Sequence, residues 1–442
     1  MPFRRLFERG ARTPASQAAE TEDEVPDLEP EGDVAEESPE GVEERSWRDR
    51  ASAILPTGSS TGSKRPEALY GSADAHGPTH FVQAVGCRLV AADGLTYLDC
   101  TMALGAVALG YAEPNVTRAV IDAAAHGTVS ALASVREVEV AERICAAVPC
   151  AEMAQFVKSG AEAIAAAVRI ARTYTGRDLV IGSGYFGWLD WCSDARGVPD
   201  GTRRDCRAVP FDDVAALDAA AAEAGSRLAA LVIEPVVERL PSAEWLARAR
   251  AICDATGAVL IFDELKTGFR VATGGYQAYG DAPVVPDLAA FGKALANGYP
   301  LGAVVGRQAL MEAARDTWIS STLASETTAL AAASAVLEWH EEADICGGLW
   351  TTGAELRGVV QAAISASGVA GVTMEGIDPM WFLRWDAPAR ETRFLELAAE
   401  NGVLFKRGAY NYAALAHDAE AIREIESATS AALVALAEEE RA

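Results

Sequence analysis

Two stretches decide the fold: Ala258-Val-Leu-Ile-Phe-Asp263-Glu264 and Pro286-Asp-Leu-Ala-Ala-Phe-Gly-Lys293. In each, a short apolar run leads to an ionisable residue. Runs this short, bounded by Gly, Pro and Asp, read as strands buried on both faces. A carboxylate closes the first run, and a lysine follows the second past one glycine.

The same pattern extends outward. Ala154–Lys158, Leu179–Ile181, Leu228–Ile233 and Gly302–Val305 read as further strands. Val116–Ala125, Ala161–Thr175 and Trp245–Ala255 read as helices between them. Strands alternating with helices predict an α/β class with a mainly parallel central sheet, whose ligands bind at the carboxyl ends of its strands. Leu89–Asp99 reads as a hairpin around Ala92-Asp93-Gly94. After Ser325 an alanine-rich helix leads into strands at Gly371–Trp385 and Gly402–Tyr412 and a helix over Asp418–Glu438. We expect a large domain over 111–330 and a smaller α+β domain built from both chain ends, 49–110 and 331–442.

The 442 residues carry a net charge of −26, and half are hydrophobic, enough for a sizeable core. So acidic a chain is a poor partner for nucleic acid or anionic membrane surfaces. Glu20–Glu44 is dense in Asp and Glu and poor in large apolar residues, so residues 1–48 are expected to be a disordered tail. No apolar stretch is long enough to span a bilayer. The eight cysteines include no CxxC pair, and the five histidines show no zinc spacing. We therefore expect no metal site, reduced thiols and a cytoplasmic location.

Only five lysines are present: Lys64, Lys158, Lys266, Lys293 and Lys406. A Schiff-base enzyme needs an amine, which arginine cannot replace. Lys293 follows an apolar strand and a glycine, which would put its amine at that strand's carboxyl end, though by local context alone it reads equally as a surface lysine. Asp263 suits the task of keeping a pyridine nitrogen protonated, though an Asp there serves equally as a helix cap, a magnesium ligand or a ribose ligand. Phe156-Val-Lys-Ser159-Gly160-Ala161-Glu162 runs strand, turn, helix. It suits a phosphate or is an ordinary N-cap. In Gly182-Ser-Gly-Tyr185-Phe186-Gly-Trp188, Tyr185 is placed to stack on a flat ring, and Trp188 and Trp191 are expected in the core.

Taken together, Ser159-Gly-x-Glu-Ala, Gly184-Tyr-x-Gly-Trp, Glu234-Pro235, Asp263-Glu-x-x-Thr-Gly-Phe-Arg270 and Pro286-Asp-Leu with Gly292-Lys293-Ala resemble the class III aminotransferases. The resemblance is greatest to the glutamate-1-semialdehyde aminomutase-like branch and runs from about Leu55 to the C-terminus. It implies a fold-type I transferase using pyridoxal 5'-phosphate, with an amine donor and a carbonyl acceptor as substrates. It further implies that Lys293 holds the cofactor as a Schiff base and moves the proton, and that Asp263 holds the ring nitrogen. Ser159, Gly160 and Ala161 would cup the phosphate, and Tyr185 and Leu265 would cover the two ring faces. Thr322, in Ser321-Thr-Leu323, would reach the phosphate from a neighbouring subunit, which implies a homodimer with shared sites. Glu234 is expected to be structural or to support the residues that touch the cofactor.

Several positions depart from the family pattern. Phe186 stands where a histidine is common. Lys266 stands where an uncharged residue is usual, and reads as a solvated loop charge, an anion ligand or a rival to Lys293. Pro56-Thr-Gly-Ser-Ser-Thr-Gly-Ser63-Lys64-Arg65 replaces the aminomutase's substrate loop, and Ser325-Glu-Thr327 replaces Gly-Asn-Pro, as in relatives from sugar pathways. Lys64, Arg65, Lys406 and Arg407 are candidates for holding a substrate carboxylate or phosphate. The rival readings are an intramolecular aminomutase, a dinucleotide oxidoreductase, disfavoured by the missing GxGxxG, and a non-catalytic binding protein.

Overall fold

The short apolar runs become strands because, once buried, their backbone groups must be satisfied by pairing. The computed structural model describes residues 46–280 and 284–442. Seven strands form one sheet in the order Met153–Val157, Gly302–Gly306, Leu288–Phe291, Val259–Asp263, Leu228–Ile233, Leu179–Ser183, Cys206–Ala208. The last five in that order run parallel. Gly302–Gly306 runs antiparallel to both of its neighbours. Every residue of Leu228–Ile233, Val259–Asp263 and Leu288–Phe291 is buried, as a sheet covered on both faces requires.

Side-chain alternation divides the strand residues between two layers. Val232 and Ile261 join Ile164, Ala167 and Val168 of the helix Gly160–Thr175. Leu231, Ile233, Leu260 and Phe262 join Trp245 and Leu246 of Ala243–Thr256 and Leu330 and Val336 of Thr327–Glu342. The fold is the α/β architecture with a mainly parallel sheet that the sequence predicts.

The two chain ends meet in a smaller sheet. Phe81–Val85, Arg88–Ala91 and Thr96–Asp99 form a meander, and Val403–Leu404 adds to it parallel to Thr96–Asp99. Residues 46–442 form one compact unit. We propose that the divisions near 110 and 330 separate cores within that unit. The tail expected over residues 1–48 lies, as far as residue 45, outside the described residues; a helix capped by Ser46 begins at Trp47.

Some local expectations change. Gly371–Trp385 is a hairpin, Val372–Ile377 with Met380–Trp385, because Asp378-Pro379 turns the chain. Gly402–Tyr412 is two short strands in different sheets, Val403–Leu404 and Asn411–Tyr412, separated by a turn with Gly408 at φ 57°. Val135–Ala147 and Val214–Ala224 are additional helices, capped by Ser134 and Asp213.

Two histidines, buried His417 and half-buried His340, tie distant segments. His417 Nδ1 accepts the Ala414 N–H at 3.1 Å, which leaves Nε2 to donate to the Asp99 carbonyl at 3.2 Å. His340 Nδ1 meets Thr273 Oγ1 at 3.0 Å, with its ring edge-on to Phe269. Burial lowers both imidazoles, His340 to about 4 from the ordinary 6.5. Between those values the unfolded chain binds protons that the folded chain does not, so stability falls as pH falls. The thermal unfolding midpoint should drop from pH 6.5 towards 4, and His340→Gln should flatten the drop. An unchanged slope in that variant would assign the acid sensitivity elsewhere.

Candidate active site

Strand register brings the two decisive residues together. Asp263 pairs opposite Ala290 on the neighbouring parallel strand, and the Glu264 N–H donates to the Ala290 carbonyl at 2.9 Å. Beyond Ala290 the chain continues through Phe291 and Gly292 to Lys293. Both ionisable groups therefore stand at carboxyl ends of adjacent strands. Asp263 is buried and Lys293 half-buried. Lys293 adopts a left-handed φ of 50° and opens the short helical turn Lys293–Ala296. Asp263 Oδ1 accepts the Leu265 N–H at 3.0 Å. Burial raises the Asp263 carboxyl pKa, and the Glu234 charge adds to the rise. Burial lowers the Lys293 amine, and the Lys266 charge adds to the fall.

Ser159 caps the helix Gly160–Thr175. Its Oγ accepts the Glu162 N–H at 3.3 Å and donates to Glu162 Oε2 at 2.9 Å, while that oxygen also accepts the Lys158 N–H at 3.1 Å. This reciprocal box leaves the N–H groups of Gly160 and Ala161 at the helix start, where no intrahelical acceptor exists. Leu265 joins this corner to Lys293. A Cβ on Gly160 would overlap the Leu265 side chain, and one on Gly292 would lie 2.9 Å from Leu265 Cδ2. The sequence thus needs glycine on both sides of one leucine.

Tyr185 is held from behind. Its N–H donates to Glu234 Oε2 at 3.0 Å, and Glu234 Oε1 pairs with Lys266 Nζ at 2.7 Å. Gly184 sits at φ 138°, where a Cβ would meet the Glu234 side chain. Lys266 is accordingly no solvated loop charge: its side chain is 12% exposed, and its ammonium lies 4.4 Å over the Tyr410 ring. This pair is the site feature the sequence reading missed. Lys266 stands out in the sequence only as a charge where the family has an uncharged residue, and nothing there pairs it with Glu234.

Phe186 turns away into the core beside Trp191, so the residue that replaces histidine packs there. Trp191 is half-buried, packed against the core's edge, whereas Trp188 is 74% exposed, as is Tyr185, because the loop leaves the sheet at Gly184 and Gly187. Thr322 lies on an exposed loop and makes no hydrogen bond to the Lys293 cluster among the described residues. Lys158, next to Ser159, pairs with Glu326 at 3.3 Å.

Of the four candidate anion ligands, Lys406 is buried and spends its ammonium on the Ala68 and Arg407 carbonyls. Arg407 lies 3.7 Å from Glu391. Lys64 and Arg65 line a cavity of about 720 Å³ shared with Arg48 and Thr79, and no residue of the Lys293 cluster lines it. Buried Arg270, the last residue of the Asp263 motif, donates to the Ala413 and Gly105 carbonyls at 2.7 and 3.0 Å.

The Leu265 wedge is directly testable. Gly160→Ala should cost about 1–3 kcal/mol in chemical denaturation, the usual range for overpacking. Adding Leu265→Ala should recover part of the overpacking cost, beyond what additivity of the two single changes gives.

The chain is similar to known proteins in sequence and in fold. A family model described as aminotransferase class-III matches residues 70–182 and 202–422. The glutamate-1-semialdehyde 2,1-aminomutase of Thermomicrobium roseum is 37% identical over 315 residues, 66% of this chain and 73% of that one. The 2'-deamino-2'-hydroxyneamine transaminase of Streptomyces kanamyceticus is 35% identical over 318 residues, 71% of this chain and 80% of that one. Among solved structures, the FumI protein of Sphingopyxis sp. MTA144, in its PLP internal aldimine form, aligns with a TM-score of 0.82 at 26% identity. That alignment covers 90% of this chain and 97% of the other. The matched residues run from the N-terminal hairpin into the C-terminal helix and touch every strand of the central sheet, so this chain belongs to the class-III aminotransferase family.

Proposed function

We propose that this enzyme moves an amino group from an amine donor to an aldehyde or ketone acceptor, with Lys293 and Asp263 acting on pyridoxal 5'-phosphate. The observation that carries the reading is a buried carboxyl and an amine lowered by burial, at the ends of adjacent parallel strands. The residues present fit the cofactor. When bound, pyridoxal phosphate supplies an aldehyde that takes amines and an electron sink that weakens the donor's α-C–H bond.

The protein's part follows from its own groups. Burial and the Lys266 charge favour the neutral form of Lys293, so Nζ can accept the donor's α-proton and return it to the acceptor carbon. Burial and the Glu234 charge raise the Asp263 carboxyl more than the Lys293 and Lys266 charges lower it, and a protonated ring nitrogen beside it would favour its ionised form. The Gly160 and Ala161 N–H groups, set by the Ser159 cap at the positive end of a 16-residue helix, suit the phosphate. Leu265 and Tyr185 are the groups assigned to the two ring faces.

We further infer a homodimer with shared sites. Support comes from large apolar side chains left to solvent on two loops, Leu132 and Trp318, each 82% exposed, with Leu323 beside Thr322. The loops are tied by the Thr327 N–H to the Thr128 carbonyl at 3.0 Å. Similarity to the S. kanamyceticus transaminase supports a sugar-type acceptor, and similarity to the T. roseum aminomutase supports a second reading, intramolecular transfer.

With added pyridoxal phosphate the protein should show a visible absorption band that borohydride fixes to the Lys293 peptide. Lys293→Ala should lack the band and lose amino transfer by a factor on the order of 10² to 10⁴ or more. No band in the wild type would reject the reading. Release of free keto product from the donor marks transfer between molecules, and its absence during turnover marks the intramolecular route.

A further inference from the structure

Two cations bear on Lys293, Lys266 and Arg270, and two carboxylates, Asp263 and Glu234. Arg270 is fully buried and bound to carbonyl groups. Asp263 is fixed by the Leu265 N–H. Lys266 is the remaining one of these groups whose role neither the family motif nor the strand geometry explains. Its position is not accidental. The ammonium is clamped between Glu234 Oε1, at 2.7 Å, and the face of the Tyr410 ring, at 4.4 Å. Tyr410 is itself anchored, its hydroxyl donating to the Val237 carbonyl. Glu234 and Lys266 side chains are only 7% and 12% exposed, so water screens the pair weakly.

The clamp does two things at once. The second oxygen of Glu234 accepts the Tyr185 N–H, so Lys266 steadies the carboxylate that holds the Tyr185 loop. Its positive charge also stands one residue from Leu265, which touches the residue preceding Lys293. A fixed cation in a low-dielectric wall disfavours a second cation nearby. Without Lys266, the buried Glu234 charge would act on Lys293 unopposed and favour its protonated form.

We propose that Lys266 is a positioning residue of the amino-transfer site: with Glu234 it fixes the Tyr185 loop and sets the field that keeps the Lys293 amine available as a base. The part played by Lys293 rests on the function proposed above, whereas the field at Lys293 is a property of the apoprotein.

Competitive trace acetylation of the apoprotein across pH, read lysine by lysine by peptide mass spectrometry, measures that field directly. In Lys266→Met the Lys293 midpoint should rise by about one unit, the lower end of the range for a nearby charge. Lys266→Arg, which keeps the charge, should stay near wild type. Lys266→Met with Glu234→Gln removes both charges, avoids a buried unpaired carboxylate, and should bring the midpoint back towards wild type. An unmoved midpoint in Lys266→Met, with only a loss of thermal stability, would overturn the proposal and make the pair a structural tie. The same variants loaded with pyridoxal phosphate separate the two ideas. A missing visible band in the wild type rejects the cofactor role of Lys293, yet leaves the acetylation result to decide on Lys266.

Discussion

Burying ionisable groups at the edge of an apolar sheet is the constraint on which the rest of this structure turns. Asp263 and Lys293 sit where the backbone of two adjacent parallel strands runs out, and neither is solvated as a free side chain would be. A buried charge costs several kcal/mol unless other groups compensate. Here the compensation is spread over Leu265, whose N–H serves Asp263, and over the Glu234–Lys266 pair, which balances its own charges beside the site. The remaining imbalance shifts the two proton affinities in opposite directions, toward a neutral acid and a neutral amine. That state is the one the proposed cofactor roles of Asp263 and Lys293 call for.

Polar side chains, rather than apolar packing alone, tie the segments around Asp263 and Lys293 to both chain ends. Asn297, four residues past Lys293, accepts the N–H groups of Ala108 and Leu109 and donates to the Gly110 carbonyl. Arg270 joins Gly105 to Ala413 with its guanidinium over Tyr412. His417 joins the C-terminal segment to Asp99. These ties explain why left-handed backbone collects nearby: Met102, Ala103, Leu104, Phe269, Lys293 and Asn297 all have positive φ. Each costs of order 1–3 kcal/mol and persists only where surrounding contacts over-determine it.

Much of the site was legible in the sequence because its motifs are local. Ser159, Gly160 and Glu162 lie within one helical turn, so the cap and its neighbours can be read from spacing alone. Asp263 and Lys293 each follow an apolar run, and an apolar run predicts its own strand. Leu265 could be placed by motif, but its contact with both Gly160 and Gly292 could not, because those glycines are 132 residues apart in number and adjacent only in space. Trp188 was misjudged for the opposite reason: an aromatic residue states a preference for burial, and the loop geometry set by Gly184 and Gly187 denies it.

The sequence by itself determined the class of fold, the order of strands and helices, and the identity of the ionisable residues at strand ends, because hydrophobic periodicity and capping act over a few residues. Only the tertiary structure decided which charges neutralise one another. Lys266 finds Glu234 across two strand ends, and Lys406 is buried against the Ala68 carbonyl rather than offered to a substrate. Electrostatic partners are chosen by distance and burial, and neither is encoded at any single position in the chain.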